Sequence, residues 1–420
     1  MRAAFRQFPL VFALLAAGCV KLDDIFDCAA LCDNRAHAQT TCNGGGCMFQ
    51  SCDEGYADCN GDMKDGCEID LANDSGHCGV CSVTCPGTDC RLGSCWPVES
   101  LVDSPAFVKK MSLDGGDLYF ARYRSPPMDG GADVDPREAA SADAGGPSAP
   151  VGIDKLTLAT GERSTFASGF SSIEALAIDA DAVYALDLPF SLNSLDVDRV
   201  VRIAKAGGAP DLLATVGVTS SRLLVDAANV YWGGSARSGV GFVPKTGGPA
   251  LTLADPVLPD PAYDLSPVYD LAMDANRFFL ASDGGLSALS WAGSEVQILA
   301  SGEHVAYVAI DGANAYFVAL DRATSVAVLR TVPLGGGDAV ELWRDRGGEK
   351  GFRIQAIALD EESVYLARSN GVVRVTKGMG IESTLAGAQR CVTDVAVDAD
   401  YVYWSGCVGI RRIAKQRVVP

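Results

Sequence analysis

Seven aspartates share one spacing. Asp114, Asp179, Asp226, Asp274, Asp311, Asp360 and Asp398 are each followed five residues later by an aromatic side chain, namely Tyr119, Tyr184, Tyr231, Phe279, Tyr316, Tyr365 and Tyr403. A carboxylate near a phenol could do acid–base work, and carboxylates paired at the right separation could cleave a glycosidic bond. An acidic chain offers many such pairs, and sequence does not give their separation. Nucleophilic catalysis has less to draw on. The chain has three histidines, His37, His77 and His304; a Ser-His-Asp triad in the second half would have to use His304, and no GxSxG elbow accompanies it. The stretch Ser112 to Tyr119 superficially matches a sialidase Asp-box, but occurs once and has Tyr in place of Trp.

Two further groups could hold metal. Asp58, Asn60 and Asp62 have the alternating oxygen spacing that opens a calcium loop, with Asp65, Glu68 and Asp70 nearby. Met63 stands where an EF-hand needs glycine and no glutamate follows at the twelfth position, so an EF-hand is excluded. A looser calcium site and plain polar turns between disulfides both stay open; no other cofactor is expected. Cys78, Cys81, Cys85 and Cys90 could hold zinc, and Cys78-Gly79-Val80-Cys81 has the spacing of a redox pair. In an exported chain crowded with cysteines, disulfides are the expected role.

The elements that carry the seven aspartates are short strands. Each aspartate ends an apolar run such as Val395-Ala396-Val397, and its aromatic partner sits in the next run, as in Tyr401 to Trp404. The second unit reads as four strands, EALAI, VYAL, VVRIAK and DLLA, with Gly207-Gly208 before the last. The span 98–420 holds 323 residues, about 46 per unit over seven units, which is the size of a propeller blade. The fold class is therefore all-β, a seven-bladed β-propeller preceded by a small disulfide-rich module. Two places before the aspartates stand Ser112, Ala177, Leu224, Ala272, Ala309, Ala358 and Ala396, small in six of seven, as expected where blades converge on an axis. The aspartates read as Asx-turn joints rather than catalysts. The seventh unit ends after its third strand, and Ser100-Leu101-Val102 is expected to supply the fourth and close the ring.

The rest of the chain is an address and a stapled module. Residues 1–18 have a basic start and a short apolar run, Pro9 to Ala17, ending at Gly18-Cys19, which reads as a secretory signal. Leu15 to Cys19 resembles a bacterial lipobox, with Ala16 where leucine is usual, so Cys19 is the expected lipidated residue. Val20 in place of aspartate favours the outer membrane of a Gram-negative cell. Residues 19–27 form a linker, 28–96 a cysteine-rich module and 98–420 the propeller, with a low-complexity insertion, expected to be disordered, at 122–150. Of fifteen cysteines, Cys19 leaves fourteen: twelve from Cys28 to Cys95, plus Cys391 and Cys407, which flank a hairpin and are expected to bridge it. Cys28 and Cys32 are spaced as on one helical turn. A net charge of −19 argues against nucleic acid and anionic membrane surfaces as partners, leaving the lipid as the membrane contact.

Two resemblances add expectations. Gly55 to Leu71 and His77 to Cys85 resemble cysteine-rich repeats of secreted and surface proteins of myxobacteria and their relatives. Asn229-Val230-Tyr231-Trp232 and Tyr401-Val402-Tyr403-Trp404, with third strands at Arg202-Ile203 and Arg412-Ile413, resemble the YWTD-type propellers of lipoprotein-receptor ectodomains. Gly233 and Ser405 replace the next YWTD residue, and seven units stand where receptor versions have six. That resemblance implies a monomeric, non-catalytic scaffold binding a protein or glycan of the cell envelope. The competing expectation is a propeller hydrolase or lyase acting on polysaccharide.

Overall fold

The computed structural model describes residues 36–43, 46–82, 85, 88–91, 94–103, 106–124, 151–188, 198–216, 218–234, 239–253, 267–321, 324, 326–345, 354–387, 389 and 391–415. Cys19, residues 1–18 expected to form a leader, and the pair Cys28 and Cys32 lie outside them. The described residues form strands and turns, with no α-helix. The chain divides into two compact units, Met1–Pro86 with Cys90–Cys95, and Gly87–Asp89 with Trp96–Pro420.

The first unit has almost no apolar interior. Two small hairpins, Ala38–Asn43 with Gly46–Cys52 and Tyr56–Ala57 with Ile69–Asp70, belong to it, and a third, Thr88–Arg91 with Ser94–Pro97, spans the boundary of the two units along the chain. Its buried cluster consists of Cys78, Cys85 and Cys90. Sulfur takes the place of a core: Cys52–Cys67, Cys59–Cys81 and Cys78–Cys90 are bridged with Cα separations of 5.7, 5.3 and 5.4 Å. Cys47 and Cys85 are disulfide-bonded as well. Closing loops of 12 to 22 residues stabilises such a unit by roughly 3 kcal/mol per bridge.

The second unit is the propeller. Seven antiparallel four-stranded sheets follow one another, each in strand order from the axis outward. The innermost strands are Ala106–Asp114, Ile173–Ile178, Val218–Val225, Val268–Met273, His304–Ile310, Ile354–Leu359 and Val392–Val397. They are apolar at consecutive positions because both faces are covered. Val395 and Val397 of blade seven pack on Ala356 and Ala358 of blade six, and Leu223 and Val225 of blade three on Ala175 and Ala177 of blade two. Leu224, the large exception among the small residues, meets Leu271 and Met273.

Blade seven is closed by the chain's earlier end. Val392–Val397, Tyr401–Gly406 and Gly409–Ala414 are joined by Glu99–Asp103, with Val102 opposite Ile410 and Ser100 opposite Arg411. Arg411 donates to Val102 O at 3.1 Å and Arg412 Nε to Glu99 Oε2 at 2.8 Å. Gly409 has φ +95°, and a Cβ there would sit 1.8 Å from Val102 O, so the closing strand requires glycine. Cys391 and Cys407 are bridged across the hairpin of this blade, Cα to Cα 5.6 Å.

One boundary needs correction. Residues 122–124, read as the start of the insertion, belong to the second strand of blade one, Asp117–Arg124. Arg122 is held there by a 3.0 Å ion pair with the buried Asp154 of the adjacent strand, which composition could not reveal. The remainder of the insertion lies outside the described residues.

The two ends of the propeller carry different connections. First-to-second and third-to-fourth strand turns, at one end, are short and all described. The other end, the mouth, carries second-to-third connections and those between blades, of which Ser171-Ser172, Asp283-Gly284, Gly302-Glu303, Ser369-Asn370 and Cys407-Val408 are among the described residues.

Candidate functional site

The repeated aspartates lie at the turn end. In six blades the Oδ1 atom accepts the backbone amides two and three residues on, as Asp398 does from Asp400 at 2.8 Å and Tyr401 at 2.7 Å. Oδ2 takes the tyrosine five residues on: Tyr184 to Asp179 at 2.9 Å, Tyr231 to Asp226 at 2.8 Å, Tyr365 to Asp360 at 2.8 Å and Tyr403 to Asp398 at 2.6 Å. Phe279 has no hydroxyl, and Arg277 covers its ring at 5.2 Å while reaching Asp274 at 3.5 Å. In blade one Asp114 and Asp117 face each other across Gly115-Gly116, so the turn needs no side-chain bond.

A lysine completes these joints across four blade interfaces. Lys205 reaches Asp114 at 2.6 Å, Lys245 Asp179 at 2.5 Å, Lys377 Asp311 at 2.7 Å and Lys415 Asp360 at 2.6 Å. Each lysine follows the third strand of the next blade. Trp291, Leu334 and Leu158 hold the same place in blades four, five and one, as their shared backbone bonds to the first turn show. Trp291 packs edge-on against Tyr231, 5.7 Å away, in place of the ion pair. Burial raises the carboxyls of Asp179 and Asp311, but the lysine, two amides and, at Asp179, the tyrosine outweigh it and leave both at about 2. These groups are saturated joints. The shallow depression of about 520 Å³ beside Asp311, Asp360 and Lys377 is the open edge of two of them.

A second repeated position, polar in five of the seven blades, lies four residues before the turn aspartates. It holds Lys110, Ala175, Arg222, Asp270, Tyr307, Ala356 and Asp394, one from each innermost strand. In all seven blades the strand register slips just before or across this position, so that an extra residue is left unpaired. The bulge frees backbone amides, and the two aspartates take them. Asp270 accepts Leu271 N of its own strand and Val308 N of the next blade, both at 3.0 Å. Asp394 accepts Val395 N and, across to blade one, Met111 N, also at 3.0 Å. Arg222 binds Asp270 through Nε at 2.9 Å and Nη2 at 3.3 Å.

These side chains converge on the axis. Arg222, Tyr307 and Asp394 come from blades that are not neighbours, yet the charge of Asp394 acts on both Arg222 and Tyr307, and that of Arg222 acts on Asp394. Burial pushes the Asp394 carboxyl above its ordinary value, against the pull of Lys110, the Met111 amide and Arg222. Burial likewise raises the Tyr307 hydroxyl, with Asp270 and Asp394 adding to it. Beside the ring, Lys109 pairs with Glu174, and Thr393 donates to Val108 O at 2.7 Å.

At the mouth, between blades four and five, His304 opens its strand with Nδ1 2.5 Å from Asp283 Oδ1. Tyr269 donates to Asp283 Oδ2 at 3.2 Å, and its ring meets the imidazole edge-on at 4.9 Å. One carboxylate thus orients a phenol and an imidazole beside the channel. His37 instead stacks on Tyr56 at 3.6 Å, and His77 pairs with Asp74 at 2.9 Å.

In the cysteine-rich unit the calcium candidates face backbone amides. Asp58 Oδ1 accepts Gly61 N at 2.7 Å, Asn60 Oδ1 accepts Asp62 N at 2.6 Å and Asp62 Oδ1 accepts Lys64 N at 3.1 Å. Among the described residues no three His, Cys, Asp or Glu side chains converge as a metal site. Glu68 organises this loop: its own amide and those of Cys59 and Asn60 hold its carboxyl below the ordinary range. The cysteines read as a zinc or redox set are bridged, Cys78 to Cys90 and Cys81 to Cys59.

No protein-family model matches the chain, and no curated protein matches it. Solved propellers do. The chain is similar to virginiamycin B lyase from Staphylococcus aureus, with TM-score 0.54 and 10% identity over 76% of this chain and 100% of that one. It is also similar to the GH74 xyloglucanase from Xanthomonas campestris, with TM-score 0.54 and 13% identity over 77% of this chain and 55% of that one. At such identities the likeness is one of fold.

Proposed function

We propose that this protein is an exported, monomeric binding scaffold whose ligand, a protein or glycan of the cell envelope, meets the propeller at its mouth. One observation carries the reading: the repeated carboxylates are consumed in joints, whereas the mouth presents the exposed edge of the Tyr269, Asp283 and His304 cluster. The Tyr-Trp pairs behind the YWTD resemblance are buried, Tyr403 at 1% and Trp404 at 2% exposure, so they support the fold and touch no ligand. Disulfides in both units support an oxidising compartment. Attachment through a lipid on Cys19, at the outer membrane of a Gram-negative cell, belongs to the same reading.

The test is retention of envelope glycans and proteins by the mature chain, by Tyr269→Ala and by Lys377→Met. Loss of retention with the first substitution and not the second is expected; equal retention by all three would sink the mouth as the site. Cys19→Ala should abolish incorporation of labelled fatty acid. A hydrolase or lyase acting on polysaccharide is favoured by a separate observation, the imidazole held by a carboxylate beside a phenol. Release of shortened oligosaccharide by the wild type and not by His304→Ala would establish that reading instead.

A further inference from the structure

Three Asn-Gly pairs occur in the chain, Asn43-Gly44, Asn60-Gly61 and Asn370-Gly371. In such a pair the backbone nitrogen of the glycine can attack the side-chain carbonyl carbon of the asparagine, because no Cβ shields it, and the five-membered ring that forms expels ammonia. What holds the two groups in the folded chain decides whether the attack proceeds. Gly44 lies outside the described residues; the other two pairs are held in opposite ways.

At Asn370-Gly371 the backbone is gripped by the sheet. Asn370 belongs to a two-residue hairpin turn, with Gly371 opposite Arg368. Ser369 O accepts Val392 N at 3.1 Å and Asn370 O accepts Gln389 N at 3.0 Å. A Cβ on Gly371 would sit 2.3 Å from Ala386 O. Moving the glycine nitrogen onto the asparagine side chain would break these contacts.

At Asn60-Gly61 the contacts serve the attack instead. Both residues are exposed, and the space where a Cβ of Gly61 would stand is open. The Gly61 amide donates to Asp58 Oδ1 at 2.7 Å, which places a carboxylate on the proton that the nitrogen must lose. Asn60 Oδ1 accepts Asp62 N at 2.6 Å, so that amide polarises the carbonyl and meets the negative charge that develops on its oxygen. Asn60 Nδ2 donates to Asp65 Oδ2 at 3.1 Å, which fixes the leaving nitrogen. A base, an oxyanion donor and a leaving-group partner thus surround one Asn-Gly pair of the two described.

We propose that the cysteine-rich unit carries a self-modifying site at Asn60-Gly61, which closes to a succinimide and opens with water to aspartate and isoaspartate. The bond formed joins Gly61 N to Asn60 Cγ, and the bond broken is Cγ–Nδ2. Asp58 takes the Gly61 proton, and a proton passes to Nδ2, which departs as ammonia. Water then adds at either carbonyl of the ring, so no other reactant is consumed. In the aspartate form a carboxylate faces Asp65 where an amide stood, and like charges replace a hydrogen bond. The Cys59–Cys81 and Cys52–Cys67 bridges keep the loop closed, so the conversion changes its charge and contour without unfolding the unit. Nothing in this chemistry depends on the ligand at the mouth, and the two readings fail separately.

The experiment incubates the full protein, disulfides intact, in neutral buffer beside a reduced and denatured sample. Peptides that span Asn60 and Asn370 are followed by mass spectrometry, with an isoaspartyl methyltransferase to label the isomerised product. Asn60 should convert in the native protein at least as fast as in the denatured chain, while Asn370 is protected in the native protein alone. Asp58→Asn should slow native conversion at Asn60 by about tenfold or more, as the loss of a positioned base does. Slower conversion of Asn60 in the native than in the denatured chain overturns the proposal, and so does an Asp58→Asn rate equal to that of the wild type. Native Asn370 converting as fast as Asn60 would show that the glycine alone sets the reaction, and overturns it as well. If Asp58→Asn does not fold, the native and denatured rates at the two asparagines decide alone.

Discussion

At the turn end of the propeller, six carboxylates accept the same two amides and four lysines reach across to the preceding blade; at the mouth, the described two-residue turns Asp283-Gly284, Ser369-Asn370 and Cys407-Val408 share a length but no side chain. The same blades are therefore uniform at one end and individual at the other. Uniformity is what an interface between blades demands, since every neighbour presents the same surface. Individuality is where a ligand can be discriminated. The axial ring lies between: its position repeats in every blade, its chemistry does not.

The comparison can be broken by substitutions that act at one end alone. Removal of residues 98–104 deletes the closing strand and should cost the propeller its single cooperative melt; an unchanged transition in calorimetry would show that the ring closes without it. Gly409→Ala, at the same seam, meets both a left-handed backbone and a carbonyl 1.8 Å away, and should destabilise by at least about 2 kcal/mol in a denaturant titration. Lys245→Met leaves Asp179 without its cation in a half-buried joint and should cost about 1–3 kcal/mol.

Acid sharpens the same contrast. The folded-state values of Asp179 and Asp311, about 2, lie below those of the unfolded chain, so their contribution is complete above about pH 4 and is lost as the pH falls toward 2. Asp179→Asn with Asp311→Asn should flatten that acid limb of the melting-temperature profile. Smallest of all, Tyr269→Ala at the mouth should shift stability by under about 0.5 kcal/mol while removing ligand retention. A large loss of stability there would mean that the mouth, too, is a joint.

What could be read from the sequence was what repeats. Asp398 and Tyr403 were legible as a joint because six other pairs share their spacing, and the closing role of Ser100 to Val102 because one blade lacked an outer strand. The lysines escaped because each binds the preceding blade. Lys245, Lys377 and Lys415 stand 66, 66 and 55 residues from their aspartates, and a variable separation leaves no pattern. Lys110, Arg222, Asp270 and Asp394 share a register, but a bulge in each innermost strand turns them toward the axis, and a bulge leaves no mark in alternating apolar residues. Their common position emerges only when the seven strands are aligned on the turn aspartate. His304 could be weighed only as a triad member because its partners, Asp283 and Tyr269, lie on another blade.

The seam in blade seven also sets an order in time. Arg411 and Ser100 are 311 residues apart, so the contact that closes the ring joins nearly the first and nearly the last strand to be made. Closing so long a loop carries a large share of the topological cost of folding. Blades one to six can assemble as the chain emerges, but the circle cannot be shut until the last hairpin has been made. The propeller therefore reaches its final state only when the closing hairpin meets a strand made some three hundred residues earlier, with its first strand left waiting for its last.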